Sequence, residues 1–258
     1  MTDQPTNDIA AAFENDAVVT GVLDDAYSPR LIELYGDLGL DFVWLDLEHG
    51  GPSPLDGDRI SNLLRAAERT DIEPLIRVPT TDPTVVRKTL DLGARNVFLP
   101  RVTGPDEVRA AVRAGRFEYD DGPGDRGLSA PRASRYGLVD EYPETEDCEV
   151  LIGVTIETEA AVETIDEILA VPELGFVFLG PYDLSVAMGH PGEVDHPDVQ
   201  AAVDRVRSAA RDAAVPIGGL SFGPEDRAQK IDAGYRLLNL GSTTGALQAA
   251  AADWLDRS

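Results

Sequence analysis

The chain has a single cysteine, Cys148. That excludes an intramolecular disulfide and any multi-cysteine zinc or iron–sulfur centre, and the residue reads as a passive small side chain in a loop. Lysine is almost missing, with only Lys88 and Lys230, and aromatic residues make up 6%. No stretch approaches the roughly 20 apolar residues that a membrane-spanning helix needs. The start, MTDQPTNDIAAAF, lacks the basic residues and apolar run of a secretory signal. A cytoplasmic protein is expected. Positive charge is scarce too: Lys+Arg 22 against Asp+Glu 47 gives −25 and a pI near 4.3. Such a surface repels phosphate backbones and anionic lipid, which argues against nucleic-acid and membrane partners. The acidity reads either as halophilic solvation or as that of an ordinary acidic cytosolic protein, and it speaks to solubility rather than to fold.

What is present is a series of short apolar runs: VVTGVL, FVWLD, PLIRV, NVFLP, LIGVTIE, FVFLG, PIGGLSF and LLNLGS. They are apolar throughout instead of alternating, as strands covered on both faces are. Between them lie segments with helical spacing and capped starts, among them PLDGDRISNLLRAAERT, TEAAVETIDEILAV and HPDVQAAVDRVRSAARDAA. Several end in glycine (DLG, RAG, DAG), where a left-handed terminal residue is wanted. Eight strand–helix units in 258 residues predict an α/β fold, a (β/α)8 TIM barrel. Residues 17–258 form that single domain, and 1–16 a flexible or capping N-terminal segment. The interval between NVFLP and LIGVTIE is too long for a connection. Its arginines Arg126, Arg132 and Arg135, with Tyr136, suggest a loop folded against substrate or a neighbouring subunit; a floppy acidic insertion is the alternative.

The strand ends carry the chemistry, because in a parallel barrel they all open on one face. Glu157 closes LIGVTIE, Asp183 follows FVFLG after Gly180, Pro181 and Tyr182, and Asp46-x-x-His49 closes FVWLD. Two carboxylates are too few for a protein-only calcium cage but suit Mg2+ or Mn2+, with Co2+ also admissible, leaving positions for a chelating 2-oxo acid. Such a metal would polarise the ketone and stabilise an enolate. Each carboxylate taken alone also fits a helix cap. The Gly180–Asp183 turn would offer backbone N–H groups to a substrate carboxylate. His49 suits acid/base work, with Asp46 to orient or charge-balance it, and a core histidine is the bland alternative. A buried Arg77 requires an anion: an enolate, or Glu48 in a structural pair. Both lysines fall on outer helices, so the metal route survives and a lysine imine does not.

Taken together, LDLEHG, PLIRVP, TLDLGA, GDRGLSAPRASRYG, IETEAAVE and FLGPYDLSVAMGHPG resemble the HpcH/HpaI aldolase family, the metal-dependent class II pyruvate aldolases. The resemblance runs from Val18 to the C-terminus. It implies a barrel of the phosphoenolpyruvate/pyruvate type that assembles into homo-oligomers, trimers or hexamers, often with exchanged C-terminal helices. It also implies reversible cleavage of 4-hydroxy-2-oxo acids to pyruvate and an aldehyde. By similarity Glu157 and Asp183 bind the metal, His49 carries the proton and Arg77 stabilises the transition state. Thr155, where relatives commonly have glutamine, and Tyr182 contact substrate, and Arg126 lies in the selectivity loop. Asp91 matches an aspartate that supports the histidine, which it would reach only across a subunit boundary; otherwise it ends its helix. Competing readings are a CoA-thioester lyase of malyl or citramalyl type, an oxaloacetate-type decarboxylase, and a non-enzymatic barrel that binds metal and oxo acid without turnover. The scarcity of cations disfavours the first, and an acid/base group beside the chelate disfavours the last.

Overall fold

The structure, a computed structural model, describes residues 6–255. Residues 1–5 of the N-terminal segment and 256–258 of the barrel domain lie outside the described residues. The chain begins with α1 (Asp8–Glu14) and β1 (Val19–Leu23). It continues with α2 (Pro29–Asp37), β2 (Phe42–Asp46), α3 (Gly57–Glu68), β3 (Glu73–Arg77), α4 (Pro83–Asp91), β4 (Asn96–Leu99) and α5 (Pro105–Ala114). A short antiparallel pair, β5 (Glu118–Tyr119) and β6 (Gly122–Pro123), leads to α6 (Tyr142–Glu149). Then come β7 (Leu151–Ile156), α7 (Glu159–Glu163), α8 (Ile165–Leu169), β8 (Phe176–Leu179), α9 (Pro181–Ala187) and α10 (Pro197–Asp212). The last elements are β9 (Ile217–Leu220), α11 (Pro224–Asp232), β10 (Tyr235–Ser242) and α12 (Thr243–Trp254). The eight predicted apolar runs are the eight staves of a closed barrel, in the order β1-β10-β9-β8-β7-β4-β3-β2, with every pairing parallel.

Both faces of the staves are buried, which is why their sequences do not alternate. Val43, Leu45, Ile76, Val97, Val154 and Val177 pack outward in the shell shared with the helices, while Phe42, Trp44, Leu75, Phe98, Phe176 and Phe178 fill the lumen. Trp44 meets Phe98 and Phe178 edge-on, with ring centroids 5.4 and 5.3 Å away. These rings need small residues opposite them. A Cβ on Gly153 would fall 2.4 Å from the Phe176 ring.

Residues 6–16 form a lid on the amino end of the barrel. Ile9 of α1 is fully buried in the lumen cluster. Asn7 caps the helix through Ile9 N (3.1 Å) and donates from Nδ2 to Asn96 Oδ1 and Glu149 O, both at 2.7 Å.

Three local readings are corrected. The run 158–171 is two short helices, because Thr164 leaves helical geometry (φ −101°, ψ 19°) with its Oγ1 on Ala160 O at 2.8 Å, competing with the backbone ladder. Gly39, Gly93 and Gly234 take the left-handed terminal conformation, but Gly115 does not (φ −85°). Cys148 lies in α6, exposed, and not in a loop.

The excursion packs on the ends of α3 and α4 and not over this chain's own mouth. Arg132 donates to Leu92 O (2.9 Å) and grips both oxygens of Glu68 (2.7 and 2.8 Å), while Ala133 N donates to Asp91 O. Helices run antiparallel to their strands in this fold, so the ends of α3 and α4 mark the barrel's amino end. The tip leaves Leu128, Tyr136 and Leu138 exposed. At the other edge α12 buries none of its residues, and Leu247, Trp254 and Leu255 stand in solvent.

Candidate active site

Strands β2 and β3 end in register, Asp46 beside Arg77. Alternation turns both side chains into the lumen above Trp44 and Leu75. Arg77 forks onto Asp46, Nε to Oδ1 at 2.8 Å and Nη2 to Oδ2 at 2.7 Å, and its guanidinium covers the Trp44 ring at 5.0 Å. Its Nη1 lies 3.1 Å from Glu48 Oε2, within ion-pair distance but not aligned as a hydrogen bond. Of the anions considered from the sequence, Glu48 is present as a pair, and Asp46 supplies the fork that holds the guanidinium. Glu48 N donates to Asp46 Oδ1 (3.0 Å), and the Tyr27 hydroxyl donates to Asp46 O (2.6 Å). Burial, reinforced by Asp46, Asp24 and Asp25, pushes the Tyr27 hydroxyl up to about 12.

His49 stands at the rim, its side chain 61% exposed, with Nε2 3.5 Å from Glu48 Oε2. The expected Asp46 partnership is corrected here: Arg77 and the Glu48 amide take up Asp46, and Glu48 is the carboxylate beside the imidazole. The sequence reading offered Glu48 only as a partner for Arg77 and missed it as the neighbour of His49. Its signal was the i, i+2 spacing from Asp46, which returns a side chain to the same side of an extended segment.

Opposite, β7 delivers Thr155 and Glu157, 1% and 2% exposed. Glu157 Oε1 accepts from the backbone N–H of Arg101 at 2.7 Å. Arg101 adopts a left-handed φ of 53° just beyond β4, an uncommon conformation for a side-chain-bearing residue that no sequence signal announced. A Cβ on Gly180 would come 2.9 Å from Glu157 Oε2 and 3.1 Å from Thr155 Cγ2, so glycine there leaves room for the carboxylate. Pro181 opens α9, Asp183 sits in its first turn and Tyr182 is half-exposed. The N–H groups of Tyr182 and Asp183 have no acceptor inside the helix. Thr155 Oγ1 is buried without a hydrogen-bond partner.

The charge at this face tests whether a divalent ion fits. Arg77 faces Asp46 and Glu48, its charge also reaches Glu157, and the charges of Glu48 and Asp183 both bear on Glu157. Burial first, then the repulsion of Glu48 and Asp183, lifts the Glu157 carboxyl from the usual 4.5 to about 7, against the Arg101 N–H and Arg77. Burial likewise raises Glu48, whose Oε2 lacks a hydrogen-bond partner. An all-oxygen donor set with surplus negative charge suits a hard dication held by Glu157 and Asp183.

Two predicted site residues lie elsewhere. Asp91 is the last residue of α4, at the amino end, and burial raises its carboxyl against Arg126, Lys88 and Arg87. Arg126, expected at the substrate, is corrected to an interior residue of the excursion. Its Nη2 donates to Tyr142 OH (2.9 Å) and Glu146 Oε2 (3.1 Å), and its guanidinium lies 5.0 Å from the Phe117 ring centre. Glu146 also holds Arg95, at the foot of β4, so the cluster is far from this chain's mouth. No barrel strand carries a lysine; Lys88 is exposed on α4 and Lys230 of α11 is paired with Asp226.

Comparison with known proteins agrees with this geometry. Residues 22–250 match the family described as HpcH/HpaI aldolase/citrate lyase. The chain is 32% identical over 239 residues to the hydroxypyruvate/pyruvate aldolase of Paraburkholderia phytofirmans, covering 91% of each. It is 34% identical over 229 residues to the 2-dehydro-3,6-dideoxy-6-sulfogluconate aldolase of Pseudomonas putida, covering 88% of each. Among solved structures, an HpcH/HpaI aldolase/citrate lyase family protein from Burkholderia cenocepacia J2315 superposes with a TM-score of 0.90 at 31% identity, covering 97% of this chain and 98% of that one.

Proposed function

We propose, since the chain belongs to the HpcH/HpaI aldolase/citrate lyase family, that it is a class II pyruvate aldolase. This carbon–carbon lyase reversibly cleaves 4-hydroxy-2-oxo acids to pyruvate and an aldehyde. The observation that carries the reading is the gathering of Glu48 and Glu157 within reach of each other's charge and of Asp183's, with Arg77 against Glu48 and the exposed imidazole of His49 beside it. Glu157 and Asp183 would hold the metal, Mg2+ or Mn2+ with Co2+ as a substitute, and when bound it supplies Lewis-acid polarisation of the 2-oxo group.

In the cleavage direction His49 accepts the C4 hydroxyl proton. The C3–C4 bond then breaks, the aldehyde departs, and the electron pair passes into the 2-oxo group to give the pyruvate enolate. Arg77, locked by Asp46, presents its remaining N–H groups to the developing oxyanion. The first-turn N–H groups of α9 and Thr155 Oγ1 orient the substrate carboxylate. Protonation of C3 yields pyruvate. The test is pyruvate release from a panel of 4-hydroxy-2-oxo acids and from oxaloacetate, together with deuterium exchange into the methyl group of pyruvate, with and without Mn2+. Metal-dependent cleavage and exchange are expected. Decarboxylation of oxaloacetate without aldol cleavage would overturn the assignment, and absence of both would favour a passive binder.

The unburied helix α12 and the apolar tip at Leu128, Tyr136 and Leu138 support a homo-oligomer, a trimer or hexamer that covers them with a second copy. In that assembly Asp91 would approach His49 of a neighbouring subunit. Asp91→Asn is then expected to shift the pH–rate profile; an unchanged profile would show that it only ends α4. Among the described residues no helix is long and apolar enough to cross a membrane. A cytoplasmic location and a halophilic origin of the acidity complete the proposal.

A further inference from the structure

Beyond the carboxylate face, the loop between α9 and α10 gathers a second set of ligand-type side chains. We propose that His190, His196 and Asp198 form a separate binding site for a divalent transition metal of the Zn2+ class, which staples this loop to the start of α10. Among the described residues this is the only group of three or more histidine, cysteine or acidic side chains whose ligand atoms all lie within 4.8 Å of one another.

Asp198 Oδ2 lies 3.6 Å from His190 Nε2 and 3.7 Å from His196 Nδ1. These separations are too long for hydrogen bonds. They are close to the edge of a ligand tetrahedron, about 3.4 Å for bonds of about 2.1 Å. His196 Nδ1 accepts from Asp198 N at 3.3 Å, so its single lone pair caps α10 and would turn to the ion when the ring rotates. The imidazole rings stack with centroids 3.4 Å apart and 16° between planes, and a shared ion would fan them open by a side-chain rotation.

Two imidazoles and one carboxylate select Zn2+, Co2+ or Ni2+ over Mg2+, whereas the Glu157–Asp183 face offers oxygen alone. The loop backbone is fixed in advance. His190 N donates to Ser185 O (2.7 Å), Gly192 N to Ser185 Oγ (3.0 Å), Glu193 N to His190 O (3.0 Å) and His196 N to Glu193 O (2.9 Å). Both histidines keep 28% of their side chains exposed, an entry path for the ion. Val194 and Asp195 of the same loop line a cavity of about 380 Å3 together with Tyr182, so metal binding would fix one wall of that cavity.

The test is equilibrium dialysis of chelator-stripped full-length protein against Zn2+ in saturating Mg2+, with the bound metal quantified. One Zn2+ per chain is expected in the wild type and in Glu157→Gln. His190→Ala and Asp198→Asn should each weaken binding at least about tenfold, with thermal unfolding of the stripped proteins reporting fold integrity. Co2+ in place of Zn2+ should give the intense absorption of a tetrahedral site in the wild type and lose it in His190→Ala. Unchanged Zn2+ affinity in a folded His190→Ala or Asp198→Asn protein, or loss of all bound Zn2+ in Glu157→Gln, would overturn the proposal.

Discussion

Replacing Glu157 by glutamine is expected to cut aldol cleavage at least about a hundredfold and, in the same protein, to raise the stability of the metal-free fold above neutral pH. The two effects share one cause. Burial, with Glu48 and Asp183 nearby, holds the native carboxyl at about 7 against 4.5 in an ordinary setting. Between those pH values the unfolded chain has already released the proton while the native protein keeps it. Stability therefore falls as pH rises through the window, and the loss is complete above about 7, corresponding to about 3 kcal/mol at most. Glutamine keeps an acceptor for the Arg101 N–H and carries no charge, so it removes this penalty. Melting curves across pH in chelator should converge at low pH and separate at pH values above neutrality, with the variant the more stable. Added Mn2+ should reverse the order by stabilising only the wild type through mass action. A variant less stable than wild type in chelator at high pH would show that the carboxylate is satisfied within the protein.

Substituting alanine for His49 should lower kcat by about 10²–10⁴, the usual contribution of a positioned acid/base group, while the melting temperature hardly moves. The side chain is 61% exposed and its recorded ionic neighbour is Glu48 at 3.5 Å, so little packing is lost with it. Substrate binding should change little, because the chelating and carboxylate-binding groups belong to β7 and α9. Steady-state cleavage kinetics beside a thermal melt check this. Cleavage within tenfold of wild type in a folded protein would assign the proton transfer to another group.

The barrel was legible because strand burial on two faces is a local property, written as unbroken apolar runs, and the candidate site residues are polar side chains at or just beyond the ends of those runs. That logic placed Glu157, Asp183, Arg77 and His49 on one face. It failed where identity depends on contacts distant in sequence. Arg126 meets Tyr142 and Glu146 only after the excursion has folded back on the foot of β4, so a loop arginine reads the same whether it faces substrate or interior. Asp46 and Glu48 share a side, and which of them neighbours His49 is decided by the fork of Arg77, a partner from the next strand. The left-handed Arg101 has no compositional mark at all, and the sequence left open whether the N-terminal segment is flexible or caps the barrel, because Ile9 reaches the lumen only once the staves have closed.

The central claim, that Glu157 and Asp183 together grip one dication beside His49, is tested most directly by an electron paramagnetic resonance titration with Mn2+. One bound Mn2+ per chain is expected in the wild type and in His190→Ala, with the binding lost in both Glu157→Gln and Asp183→Asn. Mn2+ held with undiminished affinity in either carboxylate variant would contradict the account.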